Sequence, residues 1–326
     1  MHGTSASHDN GHAFEHACVY ALSNALNIKT SHRPIVDENC LPHINAKNAW
    51  NKISVSLQNN LKRAAETAAE YLFELEPMLD EQGEDPVRLI IQSDEMGEYG
   101  DVRDIVIIRE KREWSIGLSV KHNNFAVKHS RIGSDLDFGD RWYKHQCSKE
   151  YWDAVEPVFT RLKSLQDKGL QWSDLSKDDK WDSIYVPLLT AFRNEILRQA
   201  KVFHDTPRRM VEYLLGHFDF YKVVGLDAKE ITRFQTFNLR GTLNRRSKDR
   251  EPTEKIDIAH LPTKMLHFDF KERSKTTLLM CLDEGWQFSF RIHNGDGRIK
   301  PSLKFDVQIK GMPTEIKVID VVWLKN

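Results

Sequence analysis

Residues 100–131 read GDVRDIVIIREKREWSIGLSVKHNNFAVKHSR. The β-branched run IVIIR and the alternating run over 114–121 are expected as neighbouring strands, with 111–113 as the turn between them. In the second strand Trp114, Ile116, Leu118 and Val120 share one face, and Ser115, Gly117, Ser119 and Lys121 share the other. A hairpin of this order carries two acids, Asp101 and Asp104, towards Lys121, then enters a segment dense in His, Asn, Lys and Arg. Carboxylates hold a hard cation, a lysine steers a water, and a basic polar tail touches nucleic acid. That combination is the outline of a metal-dependent nuclease.

The rest of the chain sets bounds on this reading. Its 326 residues are enough for one large core or two smaller ones, and 29% charged with 40% hydrophobic residues is ordinary for a soluble globular protein. A formal net charge of -1 gives no global basicity, although positive charge gathered on one face would still suit nucleic acid. Cys18, Cys40, Cys147 and Cys281 lie far apart with no CxxC spacing, which argues against a zinc ribbon and against a disulfide framework and points to the reducing cytoplasm. The opening MHGTSASHDNGH has neither a basic nor an apolar signal region, and no apolar run reaches membrane-spanning length; neither ordinary secretion nor a membrane partner is expected.

Upstream, GHAFEHACVYALSNAL places Phe14, Cys18, Leu22 and Leu26 at helical spacing, an amphipathic helix beginning near residue 11. Residues 29–42 are polar and loop-like, 49–76 carry a long helical pattern stopped by Pro77, and VRLIIQ over 87–92 is a short strand. Residues 148–220 are mostly helical in pattern, FNLRGTLNRRSKDREP is a basic loop or hairpin, and from about residue 264 the chain alternates repeatedly, as in WQFSFRIH and LKFDVQIK. The fold class is a mixed α/β (α+β) chain with a β-rich end. No internal repeat or low-complexity tract is present.

Phosphodiester hydrolysis needs a cation to neutralise developing charge and a water aligned with the scissile bond. Mg²⁺ takes one or two carboxylates and fills its remaining positions with waters and phosphate oxygens. Asp104, at the mouth of the IVII strand, suits that task; Lys121 would orient the water or stabilise charge on phosphorus, and the Val120 carbonyl is a further candidate ligand. An acid before one strand and a lysine at the end of the next also occur in many proteins with no such task. The segment that follows supplies His122, Asn123, Asn124, Lys128, His129 and Arg131, side chains suited to phosphates and base edges of double-stranded DNA.

The order of acid, strand, hairpin and lysine resembles the PD-(D/E)XK nuclease core. The words GDVRDIVII, WSIGLSVKHNNFAVKHSR, LDFGDRW and HFDFYKV resemble the HaeIII family of type II restriction endonucleases, along most of the chain. The resemblance implies a nuclease core over 1–147, a helical region over 148–220, a return to the core with a basic loop over 221–263, and a β-rich subdomain over 264–326. It also implies Mg²⁺-dependent cleavage of double-stranded DNA at a short palindrome, GGCC for the best-known members, with blunt cutting between G and C. A palindrome implies two active sites working together, hence a homodimer on the DNA, and the family implies a cognate DNA methyltransferase.

Asp104 then matches the family's metal-binding acid and Lys121 its lysine. The position two before the lysine, normally Asp or Glu, is Ser119, so a metal ligand must come from elsewhere in the chain. Asp101 is one candidate. Glu15 is the better one, because GHAFEHA resembles the GxAFE signature on the first core helix of many nucleases of this superfamily. WQFSFRIHNGDGRIKPSLKFD resembles a block near the C-terminus of several restriction enzymes, so Arg291, His293, Asn294 and Lys304 join Arg240 of the basic loop as candidate DNA contacts.

Two other functions compete. His12, Glu15 and His16 spell HxxEH, in which two histidines one turn apart bind Zn²⁺ and the glutamate acts as base, the pattern of a zinc peptidase. That reading leaves residues 104–131 without a task. The missing acid at Ser119 also allows a non-catalytic DNA-binding protein on a decayed nuclease core.

Overall fold

A computed structural model describes residues 3–93, 95–96, 100–295 and 297–323, with side chains from residue 9 onward except at 129. In chain order the elements are α1 (Gly3–Lys29), β1 (Ile35–Val36), α2 (Leu41–Lys52), α3 (Val55–Leu75), β2 (Arg88–Ile91), β3 (Ile105–Arg109), β4 (Trp114–His122), β5 (Ala126–Gly133), α4 (Phe138–Tyr143) and α5 (Lys149–Asp167). There follow α6 (Lys177–Lys180), α7 (Val186–Val202), α8 (Thr206–Leu215), β6 (Phe220–Leu226), β7 (Ile231–Phe237), β8 (Met265–Phe270), β9 (Thr277–Leu282), β10 (Gln287–His293), β11 (Ser302–Gly311) and β12 (Val318–Val322). The chain is a mixture of helices and two sheets, and it divides into two compact units: residues 1–125, 217–259 and 314–326 form the first, 126–216 and 260–313 the second.

Among the described residues the sheet of the first unit has the order β1-β2-β3-β4-β6-β7-β12. β2, β3 and β4 form an antiparallel meander, β6 runs parallel to β4, and β7 and β12 add antiparallel strands. The even positions of β4, Trp114, Ile116, Leu118 and Val120, pack with Tyr221 and Val223 of β6 into one core with Phe14, Cys18 and Leu22 of α1 and Leu61, Ala65 and Leu72 of α3. Alanines along α3 let its backbone approach the sheet closely: a Cβ added at Gly225 would stand 3.2 Å from Cβ of Ala64. The long helical pattern breaks at Ser54, whose Oγ accepts from the Leu57 backbone N–H and so caps α3 as a separate helix from α2. α1 begins at Gly3, eight residues before the expected start near residue 11, because no proline interrupts residues 3–10.

The second unit's sheet is antiparallel, in the order β5-β11-β10-β9-β8. α7 and α8 pack against it. The core between them is aromatic: Phe192 stands 5.2 Å from Trp142, 4.7 Å from Phe305 and 5.8 Å from Phe290, and Trp142 stacks on Tyr213 at 4.9 Å. The β-rich end therefore extends beyond its own residues, since β5 from the middle of the chain pairs with β11, while β12 pairs with β7 in the first unit.

Two buried ionisable side chains, Arg109 and Glu76, lock the first unit's loops to its sheet. The Arg109 guanidinium at the end of β3 donates to the carbonyls of Met78, Leu79, Glu81 and Asp85 and fixes the turn before β2. Glu76, fully buried after α3, accepts from the Tyr221 hydroxyl at 2.6 Å and the Asn244 backbone N–H at 2.7 Å, while its Oε2 is buried without a hydrogen-bond partner. Burial pushes this carboxyl up to about 8, against the pull of both hydrogen bonds. Between the ordinary value of 4.5 and about 8 the folded chain keeps a proton that the unfolded chain has released. This contribution to stability is whole below 4.5 and is lost as the pH rises through 8. The stability of wild type in urea unfolding is expected to fall across that interval at up to about 1.4 kcal/mol per pH unit from this group, and Glu76→Gln is expected to flatten the decline. Equal slopes for the two proteins would show that Glu76 is ionised in the fold.

Candidate active site

The β3–β4 ladder ends at the pair Ile105 and Leu118, and the site is built where it stops. Asp104 lies just before β3 with its backbone held on both sides: its N–H donates to the Leu118 carbonyl at 2.8 Å and its carbonyl accepts from Gln92 N–H at 2.9 Å. Its carboxylate takes over from the ladder. Oδ2 accepts from the Val120 backbone N–H at 2.7 Å, from Lys121 Nζ at 3.0 Å and from Ser119 Oγ at 3.3 Å. The Asp104 and Lys121 side chains remain 23% and 29% exposed, accessible to a substrate yet fixed in place.

Glu15, on α1, is 8% exposed and its Oε2 stands 2.9 Å from Nδ1 of His12. Burial raises its pKa; the His12 hydrogen bond opposes this, and the charge of Asp104 adds to it while that of Lys121 subtracts. Glu15, Asp104 and Lys121 thus share one electrostatic environment, although 89 residues separate the two acids in the chain. The Val120 carbonyl lies on the strand carrying Lys121, between Ser119 and Lys121.

Asp101 is engaged elsewhere. Its Oδ1 accepts from Nε and the backbone N–H of Arg103, and its Oδ2 from Nη2 of Arg103 and Nε2 of Gln92. Burial would raise this carboxyl, but those hydrogen bonds outweigh it and hold it below the ordinary range. The Arg103 side chain lies across the sheet at Gly117, where an added Cβ would stand 2.0 Å from its Cδ, and its guanidinium covers the Phe218 ring at 3.9 Å. Glycine at this strand position is what leaves room for the arginine.

Sequence reasoning missed Lys222. It sits in the middle of β6, a strand buried at every position, is itself 3% exposed, and its Nζ donates to the Phe125 carbonyl at 2.7 Å. Burial and then the charge of Lys121 draw its pKa down to about 7, with Asp104 acting in the opposite direction. The signal was available in FYKVVGL, one lysine inside an otherwise apolar strand.

The two histidines of the HxxEH pattern part ways. His12 holds Glu15, whereas His16 packs its ring 5.8 Å from both His43 and Trp50, and burial followed by the charges of His43 and Lys47 lowers it to about 4. Among the described residues no group of three or more His, Cys, Asp and Glu side chains is placed to hold a metal ion, which leaves zinc without its usual donor set. Glu15 and Asp104, two carboxylates whose charges act on each other, are donors of the kind a hard cation takes while it keeps most of its shell as water and phosphate oxygen.

The candidate DNA contacts separate into distinct groups. In the first unit, Nε2 of His122 stands 2.9 Å from Asp227 Oδ2 and 3.0 Å from Asn123 Nδ2, and Asn123 Oδ1 accepts from Asp227 N–H, so both side chains brace the turn after β6. Asn124 is exposed. Arg240 is exposed on a loop whose backbone N–H groups, at Leu239, Arg240 and Thr242, all donate to the buried Asp219 carboxylate. In the second unit, Lys128 donates to the Tyr213 carbonyl and covers its ring at 3.8 Å. Arg131, Lys304 and His293 fall in one register row across β5, β11 and β10, on the face of the sheet opposite the buried Ile132, Phe305 and Ile292. Arg291 occupies the next row but one on that strand, with Asp306 3.9 Å away, and Asn294 follows β10 with its carbonyl 2.7 Å from Nδ1 of His293. The side chain of His129 lies outside the described residues.

Comparison with known proteins shows the family of the chain. The family model of the HaeIII restriction endonuclease matches residues 11–313. The type II restriction enzyme HaeIII of Haemophilus aegyptius is 42% identical over 318 residues, which cover 97% of this chain and 98% of that protein. No solved structure matches the chain. A match across nearly the whole length has one consequence: the chain belongs to the HaeIII restriction endonuclease family.

Proposed function

We propose that this type II restriction endonuclease uses Mg²⁺ to hydrolyse double-stranded DNA at GGCC, cutting bluntly between G and C, on a PD-(D/E)XK core. The observation that carries the proposal is the Asp104 carboxylate at the end of the β3–β4 hairpin, bound by Lys121 at 3.0 Å and facing the field of Glu15. The order α1, β2-β3-β4 meander and parallel β6 supports the core assignment. Target and cut position follow the resemblance to the family's best-known members.

In this reading Asp104 and Glu15 hold the metal, with the Val120 carbonyl as a further ligand and Asp101 as the residue that fixes Arg103. Bound Mg²⁺ would neutralise charge gathering on the phosphate and lower the pKa of an attacking water. Glu15 must release any proton it carries before it can bind the ion, since ligation requires the carboxylate. Lys121 passes its hydrogen bond from Asp104 to the water or to a phosphate oxygen, where a fixed ammonium stabilises the charge of the transition state. Ser119, in the place of the usual acid, contributes a hydroxyl to Asp104 and no ligand charge.

Recognition belongs, in this proposal, to the polar face of the second unit's sheet, with Arg131, Lys304 and His293 in one row and Arg291 beside it. Long cations side by side on an open sheet face suit phosphates, and Arg131 is also suited to guanine. A palindromic target calls for a homodimer on the DNA, a cognate methyltransferase would protect the host's own sites, and the cytoplasm is where both would meet DNA. No helix among the described residues is long and apolar enough to cross a membrane.

Lys121→Ala is expected to lower the single-turnover cleavage rate by about 10²–10³-fold while leaving metal-free DNA binding intact in a gel shift; a variant that still cuts at the wild-type rate would remove Lys121 from the mechanism. Arg131→Ala is expected to weaken specific binding by about 1–3 kcal/mol if it reads a guanine. Lys304→Ala is expected to weaken binding to all sequences alike and to reduce the slope of log affinity against log salt by about 1. Unchanged salt slopes and affinities for both variants would move the DNA-binding face elsewhere.

A further inference from the structure

Asp306 is an acid on a sheet face that otherwise suits an anion. In the antiparallel pairing of β10 with β11 it is the register partner of Arg291, and the next pair on that face, His293 and Lys304, leads to Arg131 on β5. Arg291 and Asp306 stand opposite the buried Phe290, Ile292, Phe305 and Val307, on the open side of the sheet. Ser289, Arg291, Asp306, Gln308 and Lys310 line a hollow of about 440 Å³ there. The carboxylate is held along its own strand: Lys310 Nζ donates to Gln308 Oε1 at 2.7 Å, and Gln308 Nε2 donates to Asp306 Oδ2 at 3.3 Å. Arg291 Nε stands 3.9 Å from the same oxygen, too far for a hydrogen bond, and the Arg291 side chain is 59% exposed. A pair so open contributes little to the fold.

The chemistry of the DNA surface limits what an acid can do on such a face. Phosphates repel it, and the hydrogen-bond donors of the major groove are the amino groups of cytosine and adenine. In a C·G pair the cytosine N4 amino group donates to guanine O6, so the two atoms lie about 3 Å apart. Guanine N7 beside O6 completes a run of two acceptors and one donor. A guanidinium next to a carboxylate complements that edge, the fork taking N7 and O6 and the carboxylate taking N4. The adenine amino group stands instead between adenine N7 and thymine O4, two acceptors that repel a carboxylate from either side.

We propose that Asp306 accepts from the N4 amino group of a cytosine in the cleavage site while Arg291 donates to the guanine paired with it, which makes Asp306 a specificity-determining residue. This role rests on the reading of the second unit's open sheet face as the DNA-binding one. Asp306 repels the backbone of every sequence and attracts only where a cytosine amino group meets it, so it separates target from other DNA more than it adds affinity.

N4-methylcytosine tests the role directly, because its remaining N4 proton stays in the pair with guanine and the methyl group replaces the proton that faced the major groove. Synthetic duplexes carrying the cleavage site, unmodified or with N4-methylcytosine at each cytosine in turn, are cut in competition, and the ratio of the two rates is read. Wild type is expected to cut the duplex modified at one position at least about five-fold more slowly, the loss of one base contact. Asp306→Ala is expected to cut unmodified DNA more slowly than wild type and to bring that ratio close to unity. An acid with a merely structural role would lower both rates together and leave the ratio unchanged. Wild type that cuts every modified duplex as fast as the unmodified one would overturn the proposal without any variant. If Lys304→Ala weakens binding and lowers the salt slope as expected, Asp306→Ala with the wild-type ratio would overturn the role of Asp306 alone. If Lys304→Ala keeps the wild-type affinity and slope, the reading of the face itself falls, and the role of Asp306 with it.

Discussion

The hydrogen bonds that the end of β4 gives to one carboxylate oxygen of Asp104 are the constraint on which the candidate active site depends. The backbone N–H of Val120 cannot find its next ladder partner because the pairing with β3 has ended, and it turns to the carboxylate instead. A buried or half-buried N–H must be satisfied, so the same bond that completes the strand also aims the acid. Lys121 follows one residue later and reaches the same oxygen. The meander β2-β3-β4, the apolar face that seats it on α1 and α3, and the parallel return of β6 hold this strand end in place.

Much of this was legible in residues 100–131, because a two-residue period with β-branched residues states both a strand and its buried face. Glu15 was legible only through resemblance: nothing in the spacing of residues 15 and 104 says that α1 will seat its glutamate in the field of Asp104. Asp101 shows the opposite limit. As an acid near a strand it looked like a metal ligand, but its neighbour Arg103 takes both of its oxygens, a pairing that depends on the room left by Gly117. His122 and Asn123 looked equally suited to DNA, and in the fold they brace Asp227, more than a hundred residues further along. A polar side chain announces that it will make hydrogen bonds; only tertiary structure decides with what.

The same holds for the second unit. The alternation from residue 264 onward announced strands, and the aromatic inner faces account for their stability, since fully burying a side chain such as Phe290 or Phe305 contributes about 1.5–3 kcal/mol. What the pattern could not announce is that β5, which follows the Lys121 strand directly, leaves the first sheet and pairs with β11. That pairing sets Arg131 beside Lys304 and His293, uniting in one row residues that are as much as 173 positions apart. Lys222 remained unnoticed for a related reason: its strand could be read from the sequence, whereas its place beside Ser119 follows from a parallel register across an insertion of roughly a hundred residues.

In the proposed mechanism a chain with serine in place of the usual acid still cuts DNA, with Glu15 and Asp104 supplying the metal-binding charge that Ser119 cannot. The most direct measurement is a digest of plasmid DNA by the purified chain with Mg²⁺, followed by sequencing of the fragment ends. Discrete fragments are expected, formed only with the divalent ion, with blunt ends between G and C of GGCC. A shifted band without cleavage, the behaviour of a decayed core that only binds, would contradict it, and so would a smear of ends with no common sequence.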